Sequence, residues 1–208
     1  MFIPICLLVA TSAFVFDKDV SGKKTEISWQ VATKDKLIEI MGKAEGKITE
    51  ITTDLSYKIE KYFSQQPDNQ SVFTVTRDHD TLNVEMQSSS ENKQKQYNIS
   101  GKNWVQDFSF GLRPFFISDA DEYKFEIVNP KDLVMRTMVA YKDEIDYKTF
   151  NNVQYRARKV KITLDGFYKK FWKAELWYDT ETHNLLYYKA NEGPSTPYTI
   201  LTIKELKK

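Results

Sequence analysis

The stretch AELWYDTETHNLLYYKA, residues 174–190, carries two aromatic-rich runs around a polar centre. In the first run Trp172, Ala174, Leu176 and Tyr178 fall on every second position, with Phe171, Lys173, Glu175 and Trp177 between them. Side chains of a strand alternate between faces, so this pattern reads as a strand with one apolar face. Residues 179–184 (DTETHN) mix charge signs and turn-formers, and read as a hairpin connection kept in water. The return run places Leu186, Tyr188 and Ala190 on one face, Leu185 and Tyr187 on the other. Aromatic side chains on both faces pose a choice for Trp177: it covers a second layer, or it stays partly exposed.

The same period of two recurs outward from this hairpin. Ile27, Trp29 and Val31 alternate with Ser28, Gln30 and Ala32; Leu82, Val84 and Met86 with Asn83 and Glu85; Tyr123, Phe125 and Ile127 with Glu122, Lys124 and Glu126. Leu133, Met135, Val139 and Tyr141 repeat it with a break at Thr137. Turn-formers separate the runs, among them residues 33–35 (TKD), 67–69 (PDN), 78–80 (DHD), 129–130 (NP), 151–152 (NN), 165–166 (DG) and 193–194 (GP). Regularly spaced strands without long helical periods between them indicate an antiparallel meander rather than β-α-β units.

Three segments break the period. Ile48, Ile51, Leu55, Ile59 and Tyr62 fall at intervals of three and four, which on a helix share one face. The β-branched Thr49, Thr52 and Thr53 favour strands, broken near residues 53–54 and resumed at 57–59, and the reading leans to strands. Further on, Val153, Tyr155 and Ala157 hold one parity, while Val160, Ile162 and Leu164 hold the other. One extra residue near 158–159 restores the apolar face, as a β-bulge does, and bulges sharpen curvature. Residues 108–117 (FSFGLRPFFI) are strongly apolar without a clean period, and a central strand would not hold Pro114. They read as a loop or short helical turn that lays four phenylalanines across the mouth or concave face of the sheet, as lid or as core plug.

The chain has 208 residues, enough for one sizeable domain. With 30 Lys plus Arg against 29 Asp plus Glu, it has no one-sided positive field to collect phosphates, and no nucleic-acid partner is expected. Residues 1–16 (MFIPICLLVATSAFVF) are apolar apart from Thr11 and Ser12, and Asp17, Lys18 and Asp19 follow at once. The run is shorter than the roughly 20 residues of a membrane-spanning helix. It matches the hydrophobic part of a secretory signal, with small residues at 10–13, although the leading Lys or Arg is missing. A buried N-terminal strand is the alternative. The expectation is a signal peptide over residues 1–16 and an exported protein, periplasmic or extracellular. Cys6 is the single cysteine and lies inside this run, so a processed chain would have no disulfide and no thiol chemistry.

Residues 104–108 (WVQDF) with 112–115 (LRPF), then 123–130 (YKFEIVNP), and most closely 172–179 (WKAELWYD) running into 185–190 (LLYYKA), carry a likeness. They resemble a group of uncharacterised secreted bacterial proteins related to the lipoprotein-localisation carriers and periplasmic lipid-binding half-barrels, the LolA/LolB-like superfamily. The resemblance covers roughly residues 100–206 and more loosely 25–99. It implies an unclosed barrel around an apolar cavity, which in better-studied relatives carries acyl chains. The other signatures of the lipoprotein carriers are not found here, so lipoprotein ferrying is not implied. The expected fold is thus mostly β: one strongly curved antiparallel sheet over residues 25–206, a half-barrel, with a short loop or helix segment over its mouth.

Signs of chemistry are few. His79 and His183 both fall in turns among acids, and the adjacent Asp78, His79 and Asp80 cannot all face one ion, so neither metal nor cofactor is expected. No Gly-rich phosphate loop and no Gly-x-Ser-x-Gly elbow is present. Glu175, between Trp172 and Trp177, is the one carboxylate suited to a carbohydrate-acting enzyme, a reading that a second carboxyl group across an aromatic cleft would strengthen. The basic run Arg156, Arg158, Lys159 and Lys161 reads as a charged, twisted sheet edge. The leading expectation is a non-catalytic exported protein that binds a lipid or other apolar small molecule inside the curved sheet. Its lining would be Trp29, Phe108, Phe110, Phe115, Phe116, Trp172, Leu176 and Tyr188. The alternative is a structural or interaction module of the cell envelope, with a filled core and exposed aromatics such as Trp104 and Trp177 serving a protein partner.

Overall fold

A computed structural model describes residues 10–191 and 196–207. Its first half is an antiparallel meander of β1 (Ala10–Val20), β2 (Lys23–Lys34), β3 (Leu37–Ala44), β4 (Lys47–Asp54), β5 (Ile59–Gln66), β6 (Ser71–Asp78), β7 (Thr81–Gln87) and β8 (Asn92–Asn98). A two-residue strand, β9 (Asn103–Trp104), and two short helices, α1 (Phe108–Gly111) and α2 (Arg113–Ile117), lead into a second meander. That meander comprises β10 (Glu122–Val128), β11 (Met135–Phe150), β12 (Val153–Leu164), β13 (Lys173–Asp179), β14 (Leu185–Asn191) and β15 (Tyr198–Lys207). The spatial order runs from β8 down to β1, then from β15 down to β9, so that one sheet of 15 strands has β8 and β9 as its edges. Among the described residues only the β9–β10 pair is parallel.

The alternation read from the sequence is the cause of this shape. Each strand offers one apolar face, and a single layer buries such faces only by curling until they meet. They do meet: Leu82 and Val84 near one edge share a core with Phe125 and Val128 near the other. The sheet is strongly curved and unclosed. Its edges approach through side chains rather than a ladder, with Lys95 Nζ donating to the Asp132 carbonyl at 3.4 Å and Tyr97 Oη to that of Leu133. Edge strand β8 is polar along its length (NKQKQYN), which discourages pairing with another chain.

β1 holds the two meanders together, pairing with β2 on one side and β15 on the other. Residues 10–16, which the sequence pattern assigns to a signal peptide, lie in this strand, with Phe14 and Phe16 buried. The sheet therefore extends upstream of residue 25; residues 1–9 lie outside the described residues.

The irregular segments resolve in physical terms. Residues 48–62 are two strands joined by a turn: Thr49, Ile51 and Thr53 face the core, whereas Leu55, which a helical stripe would bury, is exposed. The bulge near residue 159 is present, but its extra residue belongs to the neighbouring strand. Asp143 and Glu144 of β11 oppose Lys159 alone. β12 lies between β11 and β13, so the basic run is not a sheet edge. Its lysines are paired instead, Lys161 Nζ with Asp143 at 2.5 Å and Lys159 Nζ with Glu175 at 3.0 Å, and Arg158 Nη1 donates to the Asp143 carbonyl at 3.0 Å.

Beyond the bulge, β11 and β12 continue as a two-stranded arm that turns at Asn151 and Asn152, both with positive φ, the geometry of a tight hairpin. The arm lies back on the sheet. Phe150 stacks on Tyr187 at 5.9 Å, and Asn151 Nδ2 donates to the Lys204 carbonyl at 2.6 Å. This is the second layer that covers Trp177, which is buried.

Candidate functional site

The apolar segment 108–117 forms two short helices inside the curve of the sheet. The Asp107 carboxylate accepts from Phe110 N and caps α1, while Pro114 sits in the first turn of α2, where its missing N–H costs nothing. Phe110 meets Trp29 edge-on at 5.2 Å and Phe14 at 5.9 Å. Phe108 lies within 6.5 Å of Phe125, Trp172 and Tyr188. Phe115 stacks on Tyr123, and Phe116 approaches Tyr178 to 4.5 Å. Leu176 is fully buried on the same face. The structure thus gathers all eight expected lining residues into one aromatic core, where the phenylalanines pack against the sheet as a plug. Trp104 and Trp177, expected as exposed contact points, are both buried, the first in β9 beside β10, the second under the arm.

At one end of the sheet the β4–β5 and β13–β14 turns converge on Arg113, the first residue of α2. Arg113 Nη1 donates to Tyr57 Oη at 2.7 Å, and Nη2 donates to Asn184 Oδ1. The guanidinium also lies 4.2 Å from the centre of the Tyr57 ring. Tyr57 holds a left-handed φ of 64°, rare for a bulky residue. Asp54 fixes that turn by accepting from Ser56 N, Ser56 Oγ and Lys58 N. Burial pulls the Arg113 pKa down, partly offset by Tyr57 and Tyr178. Arg113 Nε is buried without a hydrogen-bond partner, and an orphaned donor of that kind costs about 1–3 kcal/mol. His183, stacked on Phe116 at 5.6 Å, is pushed down by burial and by the nearby Arg113 charge.

Asn184 also lines a cleft of about 180 Å³ at this end. Phe14, Tyr155, Leu185, Leu186, Ile203 and Leu206 supply its apolar walls, and Asp179, Glu181 and Thr182 stand on its polar side. None of the eight expected lining residues borders it.

A second, more open groove of about 290 Å³ lies under the arm, lined by Glu144, Lys148, Phe150, Lys159, Glu175, Trp177 and Tyr187. Two carboxylates do share an aromatic groove here, but Lys159 Nζ stands between them, 3.0 Å from Glu175 and 3.7 Å from Glu144. Burial raises the Glu175 carboxyl, yet the bonds from Lys159 and Trp177 outweigh it and hold the group below its ordinary range. A general acid needs the opposite shift. The stability this pair contributes is present above the unfolded glutamate pKa of about 4.3 and lost as pH falls through the lower folded value. Lys159→Met is expected to flatten that acid limb, read as the melting temperature between pH 5 and 2.5; an unchanged slope would place the charge elsewhere.

His79 is exposed in its turn, 3.1 Å from Asp78. Among the described residues no group of three or more His, Cys, Asp or Glu could hold a metal ion. Sequence reasoning missed Arg113, Tyr57 and Asn184; the one available signal was a lone cation inside the apolar run 108–117.

No protein-family profile and no curated protein matches the chain. Among solved structures, it is similar to the β-barrel-like protein of a domain of unknown function, DUF1849, from Brucella abortus. That likeness has a TM-score of 0.59 at 7% identity and covers 94% of this chain and 95% of that one. A DUF1329 family protein from Desulfovibrio piger aligns over 96% of this chain and 86% of that one at 10% identity, but its TM-score of 0.25 carries no argument. The first likeness shows the fold alone, a β-barrel-like sheet.

Proposed function

We propose a non-catalytic exported envelope protein that binds a small apolar ligand, or the end of a lipid acyl chain, at the open end of the curved sheet. The observation that carries this reading is the apolar cleft between β1, β12, β14 and β15, about 180 Å³ and walled by Phe14, Leu185, Leu186, Ile203 and Leu206. An apolar cavity of about 150 Å³ takes up benzene, whereas sites that enclose a whole drug-sized ligand run to roughly 300–1,000 Å³. The cleft therefore suits a ring or a chain terminus. A whole long acyl chain would have to displace the phenylalanine plug. The β-barrel-like fold and the LolA/LolB-like resemblance support a binding role, and the pattern of residues 1–16 supports export.

Titration with 1-octanol, followed through the methyl resonances of Leu185, Leu186 and Leu206, is expected to give saturable shifts. Leu186→Trp should fill the cleft and abolish them, at an overpacking cost of about 1–3 kcal/mol. Absence of saturable shifts in the unmodified chain would overturn the reading.

The filled core favours a second reading, a protein-interaction module. Its contact points would then be Phe167 and Phe171, 87% and 54% exposed, rather than the buried Trp104 and Trp177.

A further inference from the structure

Among the described residues, the cation beside the apolar cleft has no acidic side chain in ion-pair contact. Every contact of the Arg113 guanidinium described above is neutral: the Tyr57 hydroxyl, the Asn184 amide oxygen, and the rings of Tyr57 and Phe110. Asp179, one of the two acids lining the cleft, is held by its own loop, where its Oδ1 accepts from Glu181 N, Thr182 N and Thr182 Oγ1. Glu181 is exposed. Buried charges ordinarily come paired, and a guanidinium is recognised best by two oxygens of one planar or tetrahedral oxyanion. The edge that would make such a fork carries Nε and Nη2. Here Nε has no partner and Nη2 bonds Asn184, a residue that itself lines the cleft.

We propose that the cleft takes an amphipathic oxyanion, a carboxylate or phosphate head on an apolar tail. The tail lies against Leu185, Leu186 and Leu206, and the head displaces the Asn184 amide oxygen to bridge Nε and Nη2 of Arg113. This rests on the cleft being a ligand site and adds the charge of the ligand.

Calorimetric titration of the full chain with octanoate, octyl phosphate and 1-octanol at one pH and salt concentration separates the two claims. At least one anion is expected to bind about tenfold or more tightly than the alcohol, and the tighter of the two identifies the head. Asn184→Asp supplies an internal carboxylate to Arg113 and should reduce the anion-to-alcohol affinity ratio to near one while the chain stays folded. Arg113→Gln should do the same, and the aspartate variant covers the case in which loss of the guanidinium loosens α2. Equal affinities for all three probes, or a full anion preference in Asn184→Asp, would overturn the charge proposal and leave the cleft standing. Failure of all three probes to bind would remove both.

Discussion

A chain that begins at Asp17 is expected to be unfolded at room temperature, whereas one that begins at Ala10 keeps the sheet. Strand β1 joins the two halves of the molecule, pairing with β2 of the first meander and β15 of the second. Within residues 10–16, Phe14 lies opposite Trp29 and Leu206, and Phe16 opposite Ile27 and Ile203. Both phenylalanines are buried, at 4% and 2% exposure. Truncating a buried phenylalanine costs about 3–5 kcal/mol. Two of them account for about 6–10 kcal/mol, against a total stability of about 5–15 kcal/mol for an ordinary domain. The deletion would also strip ladder bonds from β2 and β15 and leave two new sheet edges in water. Far-UV circular dichroism and thermal unfolding of the two truncated chains decide the matter. A cooperative melt of the Asp17 chain within a few degrees of the full-length protein would show that β1 is dispensable. The same result bears on the proposed export: a leader removed after residue 16 would take most of β1 with it, so cleavage at that point is expected to leave a chain that does not fold.

What was legible in the sequence was whatever a period of two can report. Ile27, Trp29 and Val31, or Ala174, Leu176 and Tyr178, announce both a strand and the face it buries, because one side of the sheet meets a core and the other meets water. Even the apparent helix over residues 48–62 yields to this logic, since Thr49 and Thr53 are buried beside Ile51. The pattern fails where both parities are apolar, or where a second layer covers the outer face. β1 reads as a continuous apolar run, which a strand shares with a signal peptide, and Trp177 sits on a polar parity because its cover is an arm folded back from β11 and β12. The candidate site was less legible still. Its cleft combines Phe14 with Leu206, far apart in sequence, and its charge is a single arginine that periodicity treats as noise. Register across β1 and the convergence of two turns on α2 create that site, and neither is written in local spacing.

Gly42→Val is expected to destabilise the protein by about 3 kcal/mol or more, with Gly42→Ala in the range of about 1–3 kcal/mol. Gly42 lies directly opposite Trp29 in the β2–β3 ladder. A methyl group built there would stand 2.4–2.8 Å from three carbons of the Trp29 ring. The ring cannot swing away, because Phe110 of the plug meets it edge-on at 5.2 Å. Glycine in a strand interior ordinarily weakens the strand, so its presence here reflects close approach of the indole to backbone. Trp29→Ala alone should cost about 3–5 kcal/mol through the cavity it leaves. The informative measurement is the cycle: with the indole gone, Gly42→Ala has nothing to strike and gains strand propensity. The double variant should then be no less stable than Trp29→Ala, giving a coupling of about 1–3 kcal/mol between the two sites. Urea unfolding of the four proteins, with unchanged slopes, would establish this. Additive losses would show that Gly42 is required for some reason other than room for the indole, and that the plug does not hold Trp29 against β3.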